Sequence, residues 1–358
     1  MSSNPADERM HPVGDAPAWS ESYYFNFVDP QSKVAMFTRM GFRPGDGWAD
    51  GLHVVYLGGD RVAFTYGRRD IGSDLSAYDD DLRAGDLKLD CAAPFEHWRV
   101  RYDGPAQDIA DAAILLERRK ARPQGWYQPA QLTMAVDFKA LSSPHYAGSG
   151  AGSGAGSGAA GGARGHFEQT GAVSGEIALT GAKGRETFQV QGFGVRDKSW
   201  GPRDWGAGSS GDAGRSSAEA ARTPAADGGS GGPAPFVNWF SMNFGPDLAM
   251  GGSCFRHPDG VIRGAGWICR NGAVEDLEDV VIESEYRPAS LLHTAVQLVA
   301  RTASGAPVRV SGRILTICPT KIPMPGGATF VNEGLAEFTF EGRTGYGISE
   351  HWHRVASE

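Results

Sequence analysis

Hydrophobic and polar residues alternate in short runs along most of the chain, with turn-forming residues between the runs. The runs at 52–57 and 62–66 are joined by a Gly-Gly-Asp sequence, which is typical of a β-hairpin. One stretch, residues 108–122, has apolar residues at helical spacing but is equally compatible with two short strands interrupted at Asp111. The pattern therefore predicts an all-β protein, built from two sheets or barrels rather than from βαβ units.

Two stretches of almost pure Gly, Ala and Ser interrupt this pattern, and neither can bury a core. We expect both to be disordered inserts, because long loops add little entropic cost per residue. The predicted organisation is a disordered arm at 1–19, a first β-domain at 20–146, a linker at 147–165, strands joining the halves at 166–205, an insert at 206–235 and a second β-domain at 236–358.

Composition narrows the classes of function. The 358 residues carry a formal net charge of −8 without any basic block, so nucleic acids and anionic membranes are poor partners. The four cysteines form no CxxC pair, and the sequence contains neither a P-loop nor a dinucleotide fingerprint. No apolar run approaches the roughly 18 residues of a membrane span, and the first residues do not resemble a signal peptide. We expect a soluble cytoplasmic protein without a cofactor; the oligomeric state stays open.

The densest chemistry lies at residues 192–205, with the sequence GFGVRDKSWGPRDW. In an extended strand, Arg196, Lys198 and Trp200 share one face, and Asp197 lies on the other. After the break at Gly201 and Pro202, the strand is followed by Arg203, Asp204 and Trp205 in a loop. Arg196 and Arg203 could each bind a carboxylate of the motif. Two interpretations follow, which do not exclude each other: an internal Arg–Asp lattice, or an Asp held by Arg as an acid in an apolar cavity.

This stretch resembles the R-D-H-S-W-G-x-R-D-W signature of the carotenoid 1,2-hydratase/AttH-like superfamily. Further similar segments are YYFNF at 23–27, GWADG at 47–51, HFEQ at 166–169 and GYGISEHW at 345–352. The resemblance implies two lipocalin-like β-barrels. It also implies chemistry like that of hydratases of carotenoid double bonds, or of cyclases of terpenoid or polyketide substrates. Lys198 stands where the signature usually has His, and a Lys transfers protons near neutral pH only if its pKa is strongly lowered.

Other candidates lie outside this stretch. Glu350 alternates with His351 and His353 in the last predicted strand, and a His-x-His pair could hold a metal, although no further ligands are evident. We therefore predict no metal site. Glu350 is expected to pair with an Arg of the motif, and Asp50, through the resemblance, to support an Arg. The expected substrate-binding set is Trp200, Trp205, Trp239, Lys198, Tyr24, Glu350, His351, His353 and Asp50.

The leading hypothesis is cofactor-free acid catalysis in a cavity between two barrels. The reaction would be hydration, isomerisation or cyclisation of an apolar molecule such as a terpenoid, polyketide or steroid. Asp197 or Asp204 would supply the proton, Arg196 and Arg203 would orient the acid or bind a polar end of the substrate, and aromatic faces would stabilise a carbocation. One alternative is a carrier that uses the same cavity without turnover. Another is a structural module in which the motif is only an internal lattice.

Overall fold

The fold consists almost entirely of antiparallel strands. The computed structural model describes residues 4–13, 18–146, 165–202, 235–257, 259–324 and 326–356. These residues form short 3-10 helices at Pro5–Glu8, Pro44–Asp46, Leu75–Tyr78 and Ala112–Leu116. The strands are β1 (Trp19–Asp29), β2 (Val34–Arg43), β3 (Trp48–Tyr56), β4 (Val62–Asp70), β5 (Leu82–Ala84), β6 (Leu87–Ala93), β7 (His97–Ile109), β8 (Gln128–Ala140), β9 (His145–Tyr146), β10 (Gly165–Gly181), β11 (Gly184–Pro202), β12 (Val237–Asn243), β13 (Leu248–Arg256), β14 (Ile262–Arg270), β15 (Ala273–Tyr286), β16 (His293–Thr302), β17 (Pro307–Met324), β18 (Gly327–Phe340) and β19 (Arg343–Ala356).

The first barrel has eight strands in the order β4-β3-β2-β1-β11-β10-β8-β7, and pairing of β4 with β7 closes it. The β5–β6 hairpin extends from β7, and β9 pairs with β10. The sequence interpretation separated residues 166–205 from the first β-domain. Strand pairing instead assigns β10 and β11 to the first barrel, because β11 hydrogen-bonds to β1 and β10 to β8. Local sequence contains no signal for these pairings between distant strands.

The second barrel is closed by eight consecutive strands, β12 to β19, with β19 pairing back onto β12. The prediction of an all-β fold with two barrels is therefore confirmed. The stretch 108–122 begins with the last residues of β7, which ends at Ile109. It then forms the 3-10 helix Ala112–Leu116, whose N-cap is Asp111. The two predicted inserts lie outside the described residues, apart from Gly165 and Pro235.

Each barrel has its own apolar interior, because alternate residues of every strand point inward. Phe25, Phe27 and Trp98 belong to the first interior, and Phe240 and Phe338 to the second. Outward-facing residues of both barrels form a third buried cluster where the barrels meet. Its aromatic members are Tyr24, Phe37, Tyr56, Trp239 and Trp267. The barrels thus share a dry, aromatic interface in addition to their separate cores.

The N-terminal residues contradict the prediction of a disordered arm in one respect. Residues 4–13 lie against the first barrel, where Glu8 is buried and forms an ion pair with Arg196, and Met10 joins the apolar interior. The physical reason is charge: a buried guanidinium needs an anion, and this segment supplies it.

None of the helices among the described residues has the length and apolarity that crossing a membrane requires.

Candidate functional site

Different functional side chains lie on the two faces of strand β11, as the alternation of side chains along a strand predicts. Arg196, Lys198 and Trp200 point into the first barrel. Arg196 forks onto the Glu8 carboxylate, with N–O distances of 2.6 and 2.9 Å, and its Nε donates to Gln169. The guanidinium also lies within 5.0–5.8 Å of three aromatic rings. Arg196 therefore binds Glu8 rather than Asp197, which corrects the predicted pairing inside the motif.

Lys198 and Trp200 also hold the N-terminal segment. The Lys198 ammonium donates to the Glu21 carboxylate and to the carbonyl of Arg9, and both charged side chains are fully buried. The positive charge of Lys198 and the His11 hydrogen bond lower the pKa of Glu21 against the opposing effect of burial. Trp200 stacks on His11 at 3.9 Å. Lys198 thus acts as the counter-charge of Glu21 in the barrel interior. Together with Arg196, it lies on the face of β11 opposite to Asp197.

The outward face of the first barrel presents a row of polar side chains across three neighbouring strands. In this first-barrel row, Asp197 on β11 lies between its register partners Glu168 on β10 and Tyr24 on β1. The second barrel presents a matching row, in which Glu350 on β19 lies between Trp239 on β12 and Glu333 on β18. We call this set the second-barrel row.

The two rows face each other and are joined by hydrogen bonds. The Tyr24 hydroxyl donates to Glu333 Oε2 at 3.2 Å, and the Trp239 indole N–H donates to Glu168 Oε1 at 2.5 Å. Trp267 on β14 donates its indole N–H to the other oxygen of Glu168 at 2.6 Å. The rings of Tyr24 and Trp239 meet edge to face at 5.2 Å. Four predicted site residues, Asp197, Tyr24, Trp239 and Glu350, are therefore brought together between the barrels.

Glu333 and Glu350 form a carboxyl pair within this interface. Burial raises the pKa of Glu333 well above its usual value, and the charge of Glu350 and a hydrogen bond shared with it raise the pKa further. Burial also raises the pKa of Tyr24 well above its usual value, so Tyr24 remains a hydrogen-bond donor. Two carboxyls this close cannot both ionise easily in a dry site. The pair therefore favours a shared proton over ionisation of both carboxyls.

The other end of the first-barrel row contains His166, two residues before Glu168 on β10. Its Nε2 lies 2.5 Å from Asp197 Oδ2 and 3.5 Å from Glu168 Oε1. Burial raises the pKa of Glu168, an effect that His166 and the two indole donors oppose. The side chains of His166 and Asp197 remain 23% and 16% exposed, so solvent reaches this end of the interface. Glu168, by contrast, is buried.

Several predicted site residues lie elsewhere. His351 and His353 point into the second barrel, where His351 stacks on His293 at 3.6 Å and forms a hydrogen bond with the Tyr286 hydroxyl. Asp50 forms ion pairs with Arg39 and Arg43, as expected for a residue that supports an Arg. These ion pairs lie outside the two rows. Arg203, Asp204 and Trp205 lie outside the described residues.

Sequence reasoning missed three important members of the site: His166, Glu168 and Glu333. The first two are in the HFEQ segment that the resemblance uses, and their i, i+2 spacing predicts a shared face once β10 is recognised as a strand. Glu333 lies in a part of its strand that the structure buries, and a buried carboxyl needs a partner. Its partner Glu350 is specified only by strand register.

Two closed antiparallel barrels that meet through facing polar rows define a double-barrel fold. The resemblance inferred from the motif is thereby confirmed. The sequence profile of the family described as "Domain of unknown function (DUF7064)" matches residues 4–355, and the chain belongs to this family. No curated protein sequence matches the chain.

Solved structures share the fold over nearly their whole length. An AttH-like protein from Nitrosomonas europaea has a TM-score of 0.58 at 14% identity, covering 98% of this chain and 96% of the other. CghA with Sch210972 has a TM-score of 0.52 at 10% identity, with 99% and 96% covered. Kievitone hydratase from Nectria haematococca has a TM-score of 0.51 at 10% identity, with 99% and 93% covered. At these identities the matches establish the fold alone.

Proposed function

We propose that this protein catalyses an acid-assisted reaction of an apolar small molecule at the interface between its barrels. The observation that carries this proposal is the buried Glu333–Glu350 pair, in which burial and the second carboxyl raise the pKa of Glu333 well above its usual value. The reaction class is hydration of a double bond, isomerisation or cyclisation. One solved structure with this fold is a hydratase, which supports a catalytic role.

Glu333 is the proposed proton donor in place of Asp197. Burial and a second carboxyl raise the pKa of Glu333 and so favour its protonated form, whereas Asp197 is partly exposed and bound to His166. Tyr24 positions the acid by its hydrogen bond to Oε2. The rings of Tyr24 and Trp239 offer π-faces beside the acid, which stabilise positive charge on a protonated substrate. This proton transfer uses side chains alone and requires no cofactor.

Asp197 and His166 have a different role in the proposal. They lie at the solvent-reached end of the first-barrel row, where they can hydrogen-bond to a polar group of the substrate or to an incoming water. A substrate with an apolar body and one polar end would match the aromatic residues of the interface and the polar groups of this exposed end. This description includes terpenoid, polyketide and steroid skeletons.

The test is to incubate the purified protein with an apolar metabolite extract in ¹⁸O-labelled water and, separately, in D₂O. Hydration incorporates ¹⁸O into a product, and isomerisation incorporates deuterium; both are read by mass spectrometry. Glu333→Gln is expected to lower the rate of turnover by about 10²–10⁴-fold, because it removes the general acid while keeping the side-chain shape. The matched control is Glu337→Gln on the same strand. Glu337 lies outside the second-barrel row and accepts a hydrogen bond from Arg313 at 3.0 Å.

Two results would contradict the proposal. If wild type retains a ligand unchanged in both solvents, the protein is a carrier and the carboxyl pair is structural. If Glu333→Gln turns over as fast as Glu337→Gln, another group supplies the proton.

A further inference from the structure

Three metal-ligating side chains converge at the open end of the first-barrel row. His166, Glu168 and Asp197 each offer one ligand atom, and these atoms all lie within 4.8 Å of one another. Among the described residues, no other group of three His, Cys, Asp or Glu side chains meets this criterion. An ion about 2.0–2.2 Å from each ligand separates the ligand atoms by about 3–3.5 Å. The 3.5 Å between His166 and Glu168 already fits, and the His166–Asp197 pair needs to open by less than 1 Å.

Two carboxylates of this cluster share one imidazole among the described residues. Within the described part of the chain, His166 is the ion-pair partner of both carboxylates, and one Nε2 atom faces them both. The neighbouring cations of β11 point the other way, because Arg196 binds Glu8 and Lys198 binds Glu21 inside the barrel. Both carboxylates therefore converge on one Nε2 atom. A buried carboxylate such as Glu168 is either paired or coordinates a metal.

The second barrel supports the cluster from outside. The indole N–H groups of Trp239 and Trp267 each bind one oxygen of Glu168, which fixes the orientation of this carboxylate. Outer hydrogen bonds of this kind hold metal ligands in place without using all their lone pairs. Gly251 lets Glu168 pack closely against the second barrel, since a Cβ there would lie 2.8 Å from Glu168 Oε2. The oriented carboxylate is thus available on the side that faces His166 and Asp197.

We propose that His166, Glu168 and Asp197 bind one divalent first-row transition metal ion. One imidazole nitrogen and two carboxylate oxygens suit Zn²⁺ or Mn²⁺ better than Ca²⁺ or Mg²⁺, which favour all-oxygen sites. Three protein ligands leave a further coordination position, and the exposed edges of His166 and Asp197 place that position on the solvent side. The ion would hold a water molecule there. This catalytic use rests on the proposed function, whereas the binding itself does not.

The experiment measures metal binding without substrate. The full-length protein is freed of metal with a chelator and dialysed. It is then titrated with ZnCl₂ by calorimetry and with MnCl₂ by electron paramagnetic resonance. We expect one ion per chain and at least tenfold weaker binding in Asp197→Asn and His166→Gln. The matched control is Asp137→Asn, which removes a His97–Asp137 pair of nearly the same length, 2.6 Å, elsewhere on the first barrel. Its affinity should equal that of wild type.

The proposal is overturned if the wild-type chain binds less than one equivalent, or if Asp197→Asn binds as tightly as Asp137→Asn. Circular dichroism of each variant separates a lost ligand from a lost fold. If metal binds but the chelated protein still converts its substrate at the full rate, the metal site is confirmed and its catalytic role is contradicted. If metal binds and no conversion is found at all, only the proposed function fails.

Discussion

Replacing Glu8 by alanine is expected to lower the free energy of unfolding by about 3–5 kcal/mol, a large part of the stability of a typical domain. Glu8 and Arg196 have side chains that are 2% and 1% exposed, and the carboxylate also accepts the backbone N–H of Phe95 at 2.6 Å. Removing the anion leaves a buried guanidinium without its counter-charge, which water cannot reach to solvate. Chemical denaturation of both proteins measures the difference.

The double variant Glu8→Ala/Arg196→Met should regain much of this loss, because no uncompensated charge remains in the barrel. The matched control is Glu341→Ala, which breaks the bidentate Arg270–Glu341 pair at the surface. Those side chains are about half exposed, so the expected loss there is below about 1 kcal/mol. Equal effects at Glu8 and Glu341 would show that residues 4–13 do not stay docked in solution.

Acidification is expected to destabilise the protein through imidazoles inside the barrels. Burial lowers the pKa of His53 and of His293 to about 3, from an ordinary value of 6.5. Between these two values the unfolded chain binds more protons than the folded chain. The stability contributed by each neutral imidazole is therefore complete above pH 6.5 and lost as the pH falls towards 3. Near pH 4, the loss from His53 alone is about 3 kcal/mol.

Glu333 acts in the opposite direction. Its raised pKa contributes stability that is present below pH 4.5 and lost as the pH rises towards the raised value. The imidazole effect is therefore isolated by comparison with His53→Phe, which keeps a flat ring against Tyr102 and removes the titrating group. Denaturant titrations at pH 7 and pH 4 should show a decrease about 3 kcal/mol smaller in this variant. If the free energy of unfolding falls equally in wild type and in His53→Phe between pH 7 and pH 4, water reaches His53 in the folded barrel.

The sequence by itself determined the fold class and which side chains of β11 lie on each face of the strand. Alternation is a local property with a period of two, so it correctly separated Arg196, Lys198 and Trp200 from Asp197 before any partner was known. The same local logic predicted turns and strands along both halves. The identity of the partners was a different matter, since Arg196 binds Glu8, 188 residues away, in a segment whose polar composition predicts disorder.

Only the tertiary structure decided which carboxyls form the site. Tyr24 and Glu333 are 309 positions apart, and Glu168 receives its indole donors from residues 71 and 99 positions away. These contacts depend on the register of distant strands and on how two closed barrels pack, and neither is encoded in any short window. A slip of one residue would turn Asp197 into the barrel and Lys198 out of it. The pattern of the chain therefore fixes the faces of the strands, and the packing of the barrels selects the residues that meet between them.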